Sequence, residues 1–324
     1  MAVLVSGATG FVGTHLARQL AARGLECWGL DLAGTPEREG YSRRFAWEYL
    51  DEIPWGGVDA VVHLAGMAHD LSQAPDEVAY RAVNLGLSRR LWDAAHLGWC
   101  ATGGTEGKRF VYFSSVKVYG NAPGAAIRTE ATPPAPQTPY GRTKLEAEKY
   151  LRAAAKKDCG AALYILRPAL ICGPKAKGNL ALLSAFARWG LPWPFGAFEN
   201  RRSFCGIGNI CAVVEKICRG GVEPGTYQVA DDETVSTVQL VKMLGAAAGR
   251  WVWVWRIPKK WINLLAMPGE VWPRWPLDRE RLGKMTGSEV VSNAKIKEAC
   301  GWTEMPFRLE EGVREAVVSG KSGD

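Results

Sequence analysis

Histidine is scarce in this 324-residue chain, with four in all, and the eight cysteines (27, 100, 159, 172, 205, 211, 218, 300) include no C-x-x-C pair. No metal site and no disulfide framework is therefore expected, and cysteines set within apolar runs read as small core residues. No apolar run approaches the roughly eighteen residues of a membrane span. The start lacks a basic segment leading into a signal-like apolar core, so the expected location is the cytoplasm. Repeats and low-complexity tracts are absent, and no basic arm interleaved with exposed aromatics marks a nucleic-acid groove, so no nucleic-acid partner is expected. Acidic residues are outnumbered, 33 against 40 basic ones, and the net charge of +7 favours an anionic ligand. What the chain does have is an apolar fraction of 47%, enough for a large core in one domain or one and a half.

The most informative stretch is a short apolar strand, Leu4-Val5-Ser6, that runs directly into Gly7-Ala8-Thr9-Gly10-Phe11-Val12-Gly13. A strand that turns on closely spaced glycines into a helix sets free N–H groups and the positive end of the helix dipole under a pyrophosphate, because glycine lets the backbone come that near. A second apolar run, Cys27-Trp28-Gly29-Leu30, ends on Asp31. That is about twenty residues beyond the turn, where a carboxylate takes both ribose hydroxyls of an adenosine half. Such a carboxylate repels a 2′-phosphate, so NAD is favoured over NADP.

Strand-like runs at 2–6, 26–30, 59–64, 109–113 and 162–166 alternate with helical patterns at 13–23, 76–97 and 140–157. This is the pattern of βαβ units, and it predicts an α/β fold: a doubly wound parallel sheet covered on both faces, with ligands at its carboxyl edge. The alternation fades after Pro168, where 174–204 carries Gly178, Gly190, Pro192, Pro194 and Gly196; pieces at 206–219, 226–229, 236–248 and 292–316 follow. Residues 1–168 are read as a dinucleotide-binding domain. Residues 169–324 are read as mainly a smaller carboxyl-terminal substrate lobe, some of whose segments can return to the main sheet.

Segment 251–275 holds six of the fourteen tryptophans. Trp251, Trp253 and Trp255 alternate with Val252 and Val254, so at a two-residue period the indoles share one side of a strand. Lys259, Lys260 and Trp261 lead into a short amphipathic piece, Ile262-Asn263-Leu264-Leu265-Ala266-Met267. The indoles are expected to pack on protein, within the chain or across a homodimer; the alternative is peripheral contact with a lipid headgroup layer.

Three further pieces fall where a ligand in the crevice would reach: His63-Leu64-Ala65-Gly66; Phe113-Ser114-Ser115-Val116-Lys117-Val118-Tyr119-Gly120; and Pro139-Tyr140-Gly141-Arg142-Thr143-Lys144, which opens a helix. Tyr140 and Lys144, four apart, lie on one helix face. An ammonium beside a phenol favours the phenolate, and moving a tyrosine pKa from about 10 towards 7 takes about 4 kcal/mol. That is a large demand for one lysine, so a positive nicotinamide ring has to contribute. A phenolate so placed takes a proton from an alcohol while hydride leaves its carbon, with Ser115 bonding the same oxygen.

On these residues the chain resembles an extended short-chain dehydrogenase/reductase of the nucleotide-sugar epimerase and reductase group, over nearly its whole length. The resemblance implies a Rossmann-type domain in which Gly7, Gly10, Phe11, Val12 and Gly13 cradle NAD and Asp31 takes the ribose. Leu64, Ala65, Gly66, Ser114 and Pro168 then lie along the cofactor, and Asn84 steadies the active-site helix. Ser115, Tyr140 and Lys144 match the catalytic triad, the last two also touching the cofactor. On the substrate side, Lys177-Gly178-Asn179-Leu180 resembles a diphosphate-holding segment. Asn200-Arg201-Arg202-Ser203-Phe204 resembles an R-x-F stretch in which Arg201 is expected to face the phosphates, and Arg281 is the second arginine. Dehydrating members carry Asp-Glu just after the active-site serine or threonine; here Val116 and Lys117 stand there, which argues against dehydration. The acid that touches adenine is not assigned, Glu48 and Asp51 being open. The resemblance implies a UDP-sugar 4-epimerase, with a reductase of UDP-4-keto-6-deoxy sugars as the alternative and a non-catalytic dinucleotide-binding regulator as a remote one.

Overall fold

The computed structural model describes residues 1–68, 77–120, 127–157, 160–174, 179–270, 272 and 279–318. Strands β1 (Ala2–Ser6), β2 (Glu26–Asp31), β3 (Arg43–Ala46), β4 (Val58–His63), β5 (Arg109–Phe113) and β6 (Ala162–Pro168) are followed by β7 (Leu170–Cys172) and β8 (Arg202–Gly206), which leave the sheet. Strand β9 (Gly225–Val229) returns to it beside β6, and β10 (Thr234–Val235) pairs with β8. The main sheet runs β3-β2-β1-β4-β5-β6-β9, with all neighbours parallel. Strand order reverses direction between β1 and β4, and the crevice outside their carboxyl ends is where such sheets bind ligands.

Burial on both faces explains why these strands are continuous apolar runs rather than alternating ones. Val3 and Val5 of β1 enter one core with α1 (Phe11–Ala22), whereas Ala2 and Leu4 enter the other. That second core is closed by α3 (Leu87–Ala101) and α4 (Pro139–Lys157); α2 (Glu77–Arg81) precedes α3. The helix expected over 76–97 is interrupted, because Ala82–Gly86 widens into a π-turn around the buried Asn84. Trp28, Trp55 and Trp99 are buried in this core, and each indole N–H has an acceptor: Glu26, the Leu50 carbonyl and the Val58 carbonyl.

The smaller sheet, β10-β8-β7, carries the carboxyl lobe with α5 (Asn179–Trp189), α7 (Thr237–Ala247) and the helix Leu309–Val318; α6 (Ile207–Cys218) packs on α1 under the main sheet. In the tryptophan segment the two-residue period holds, but its sides are the reverse of expectation. Val252 is buried against Gly245, while Trp251, Trp253 and Trp255 are 75%, 65% and 56% exposed, so they do not pack within the chain. Among the described residues no helix is long and apolar enough to cross a membrane.

Candidate active site

The glycine turn leaves β1 at the reversal point. Gly7 has φ +71°, and a Cβ there would come within 2.9 Å of the Ala65 amide nitrogen; a Cβ on Gly13 would lie 2.4 Å from the Gly7 carbonyl oxygen. Gly10 caps α1 without a side-chain bond. The amides of Phe11, Val12 and Gly13 are therefore the free first-turn donors that suit a pyrophosphate. Asp31 ends β2 beside the turn: one carboxylate oxygen accepts the Thr9 amide (2.8 Å) and hydroxyl (2.6 Å), the other the Leu32 amide (2.9 Å). Tyr41 donates its hydroxyl to the Gly13 carbonyl at 2.9 Å. Neither Thr9 nor Tyr41 had a local signal, since each acts across the loop. Open glycine backbone, free helix amides and a carboxylate together fit a dinucleotide. Gly13→Ala is expected to weaken NAD binding at least about tenfold in calorimetric titration, since its Cβ meets backbone that cannot yield. Gly86→Ala, whose Cβ meets nothing within 4 Å, is expected to leave binding unchanged.

Strand β4 delivers His63, Leu64, Ala65 and Gly66. His63 is fully buried, held by Ser6 at Nδ1 (2.6 Å) and Ser88 at Nε2 (3.0 Å), and burial pushes its pKa down to about 3. It is a neutral pin between strand and helix, with no part in proton transfer. At Gly66 a Cβ would lie 2.9 Å from Asn84 Oδ1 and 3.1 Å from Lys144 Nζ, so the backbone passes directly over both. Asn84 accepts the Met67 amide (2.9 Å) and donates to the Met67 carbonyl (3.1 Å) and to Thr143 Oγ1 (3.0 Å), tying the β4 end to α4.

Ser115 follows β5 and accepts the Lys117 amide at 3.2 Å, capping the short turn Val116–Tyr119; its side chain also acts on the Tyr140 phenol, drawing the phenol's pKa down. Lys144 is buried, donates to the Phe113 carbonyl at 2.8 Å and lies 6.0 Å from the Tyr140 ring centre. Helix α4 and the end of β5 thus bring all three side chains together. Burial lowers Lys144 to about 8 and raises Tyr140 to about 12, the influence of Ser115 only partly offsetting the latter. Within the protein alone the phenol thus stays far from neutrality, which is the gap the positive nicotinamide ring is expected to help close.

One turn beyond Lys144 lies Glu148, fully buried. It accepts Ser114 Oγ (2.5 Å), Arg167 Nε (2.9 Å) and Arg152 (2.9 Å), with a second Arg167 contact. Burial pushes its carboxyl up, but the hydrogen bonds and charge of Arg167 outweigh this and hold it below the usual range. Ser114, expected at the cofactor, gives its hydroxyl to Glu148 and buries its side chain, and its amide goes to the Leu166 carbonyl, so its own carbonyl is the group left to serve a cofactor. Pro168 closes β6 beside Val229.

On the substrate side, Leu180 buries its side chain in the lobe core, so only its amide in the first turn of α5 can serve a ligand. The side chains of Asn179 and Arg281, and residues Lys177 and Gly178, lie outside the described residues. Arg201 is exposed and bonds Thr234 at 2.8 Å. Arg202, passed over in sequence, points the other way along β8. Its guanidinium lies 3.7 Å from Glu289, the carboxylate that Lys117 grips at 2.9 Å and Arg128 approaches at 3.5 Å. Lys117, two residues beyond Ser115, is thus linked to Arg202 across the lobes.

The family model of the NAD dependent epimerase/dehydratase family matches residues 3–230. The UDP-glucose 4-epimerase of Vibrio cholerae is 30% identical, the match covering 97% of this chain and 94% of the other. The N-acetyl-alpha-D-glucosaminyl-diphospho-ditrans,octacis-undecaprenol 4-epimerase of Escherichia coli O157:H7 is 28% identical over 96% of this chain and 92% of its own. Among solved structures, the UDP-glucose 4-epimerase of Thermus thermophilus in complex with NAD shares the fold at a TM-score of 0.75 and 24% identity, covering 100% of both chains.

Proposed function

The chain belongs to the NAD dependent epimerase/dehydratase family, and from that premise we propose that it inverts carbon four of a UDP-hexose or UDP-N-acetylhexosamine and keeps its NAD through the cycle. The observation that carries this reading is the Tyr140 ring with the buried Lys144 ammonium 6.0 Å from its centre and with Ser115 acting on its phenol, while Val116 and Lys117 stand where a dehydrating enzyme needs two acids. Lys117 is held by Glu289 and offers no proton acceptor for expelling a hydroxyl.

Each residue then has a task. The amides of Phe11, Val12 and Gly13 take the pyrophosphate, and Asp31, favouring NAD over NADP, takes the adenosine ribose. NAD held there would supply a reversible hydride acceptor for the sugar carbon. Tyr140 removes the proton of the 4-hydroxyl and later returns it, Ser115 bonds the same oxygen, and Lys144 supplies the charge that favours the phenolate. The Leu180 amide, Asn179, Arg281 and an arginine of the Arg201-Arg202 pair serve the diphosphate, whose planar recognition suits a guanidinium.

The test is to identify the cofactor released when freshly purified protein is denatured, then to incubate the protein with UDP-sugars without reductant. Bound NAD and interconversion of gluco and galacto forms are expected. An empty site, no interconversion, and stoichiometric oxidation of added NADH or NADPH by a UDP-4-keto-6-deoxy sugar would overturn the epimerase in favour of a reductase.

A further inference from the structure

We propose that the tryptophan face of the carboxyl lobe docks on an anionic lipid bilayer surface. The strand piece 251–256 turns Val252 and Val254 into the lobe core and Trp251, Trp253 and Trp255 outward; the first two indoles lie 6.5 Å apart. The piece is held rigidly, since Trp193 donates its amide to the Trp253 carbonyl (2.7 Å) and accepts the Trp255 amide (2.8 Å). Helix α8 (Lys259–Ala266) continues the face. It buries Ile262 and Ala266 against Phe195 and Phe198 and leaves Trp261, Leu264 and Leu265 each more than half exposed. An indole carries roughly 150–250 Å² of surface, so three of them at this exposure already match the largest apolar patch of an ordinary monomer.

Charge identifies the occupant. From Thr234 to Gly269 there is no Asp or Glu, while Lys242, Arg250, Arg256, Lys259 and Lys260 are present. Lys259 and Lys260 open α8 at the edge of the apolar surface, their ammoniums 5.7 Å over Phe198 and 6.0 Å from Trp261. A second copy of this chain would bring the same cations to a two-fold contact and place like charges together. An anionic bilayer supplies both missing partners, an interfacial layer for the indoles and phosphates for the lysines.

The test uses the full chain and vesicles of phosphatidylglycerol and phosphatidylcholine, read by co-sedimentation and by quenching of tryptophan emission with brominated lipid. Binding to anionic vesicles, weakened by salt and accompanied by quenching, is expected. Lys259→Gln with Lys260→Gln should lower the partition coefficient about tenfold or more, and Trp251→Ser with Trp253→Ser should remove most of the quenching. These side chains are exposed, so both variants should keep the parent's melting temperature and NAD affinity. Absence of vesicle binding at low salt, equal binding to zwitterionic vesicles by parent and variants, or a dimer in sedimentation velocity that the tryptophan substitutions dissolve would each overturn the proposal. None of these readouts depends on which sugar reaction the site performs.

Discussion

Replacing Tyr140 with phenylalanine is expected to cut turnover more than about a hundredfold while NAD affinity stays within about twofold. The substitution removes one hydroxyl and keeps the ring, so the contact of that ring with Tyr80, 6.5 Å between centres, survives. Lys144 also stays in place, because its ammonium is fixed by the Phe113 carbonyl and not by the phenol. What disappears is the group that exchanges a proton with the sugar oxygen. The protein alone holds that phenol at about 12; reaching neutrality takes about 7 kcal/mol of differential stabilisation, at 1.36 kcal/mol per pKa unit. A tyrosinate absorbance near 295 nm is therefore expected at neutral pH in the parent only with oxidised cofactor, and in Tyr140→Phe not at all. A variant within threefold of the parent rate would mean that another group is the base.

The glycine turn, Asp31 and the strands around them were legible because each is local: a backbone that must come close to a ligand, or a run buried on both faces, is written in consecutive residues. Side-chain direction was not. The alternation at 251–255 identifies two sides, and greater hydrophobicity suggests tryptophan as the inward one. The cradle beneath decides otherwise, since a Cβ on Gly245 would already lie 2.5 Å from Val252, leaving room for a valine and no more. Arg201 and Arg202 pose the same question, as neighbours at the start of a strand face opposite ways. The buried acid was missed although its spacing was visible. Glu148 is one turn after Lys144, but its partners come from elsewhere in the chain, Ser114 from just beyond β5 and Arg167 from β6.

Loss of that acid should be the most damaging structural change near the site. Glu148→Gln is expected to destabilise the protein by about 3–5 kcal/mol, because it leaves the buried Arg167 guanidinium without its counter-charge. Arg167 also donates to Tyr119 at 2.7 Å, and Tyr119 accepts from Gln228 at 2.8 Å, so the disturbance reaches β9 through hydrogen-bonded neighbours. Glu148→Met combined with Arg167→Met should recover most of the loss, since desolvation of both charges is then avoided. The pH dependence has a definite sign. Glu148 is held below its ordinary value of 4.5, so its contribution is present above that value and lost as pH falls through the lower native one. The gap between parent and Glu148→Gln in chemical unfolding should therefore narrow in acid. A gap below about 1 kcal/mol at pH 7 would show that Arg167 is adequately solvated without it. The substitution also reaches catalysis, because Glu148 raises the Lys144 pKa against the burial that brings it to about 8. Without that carboxylate the ammonium deprotonates at lower pH, and the alkaline limb of the turnover profile should move towards neutrality even in variants that remain folded.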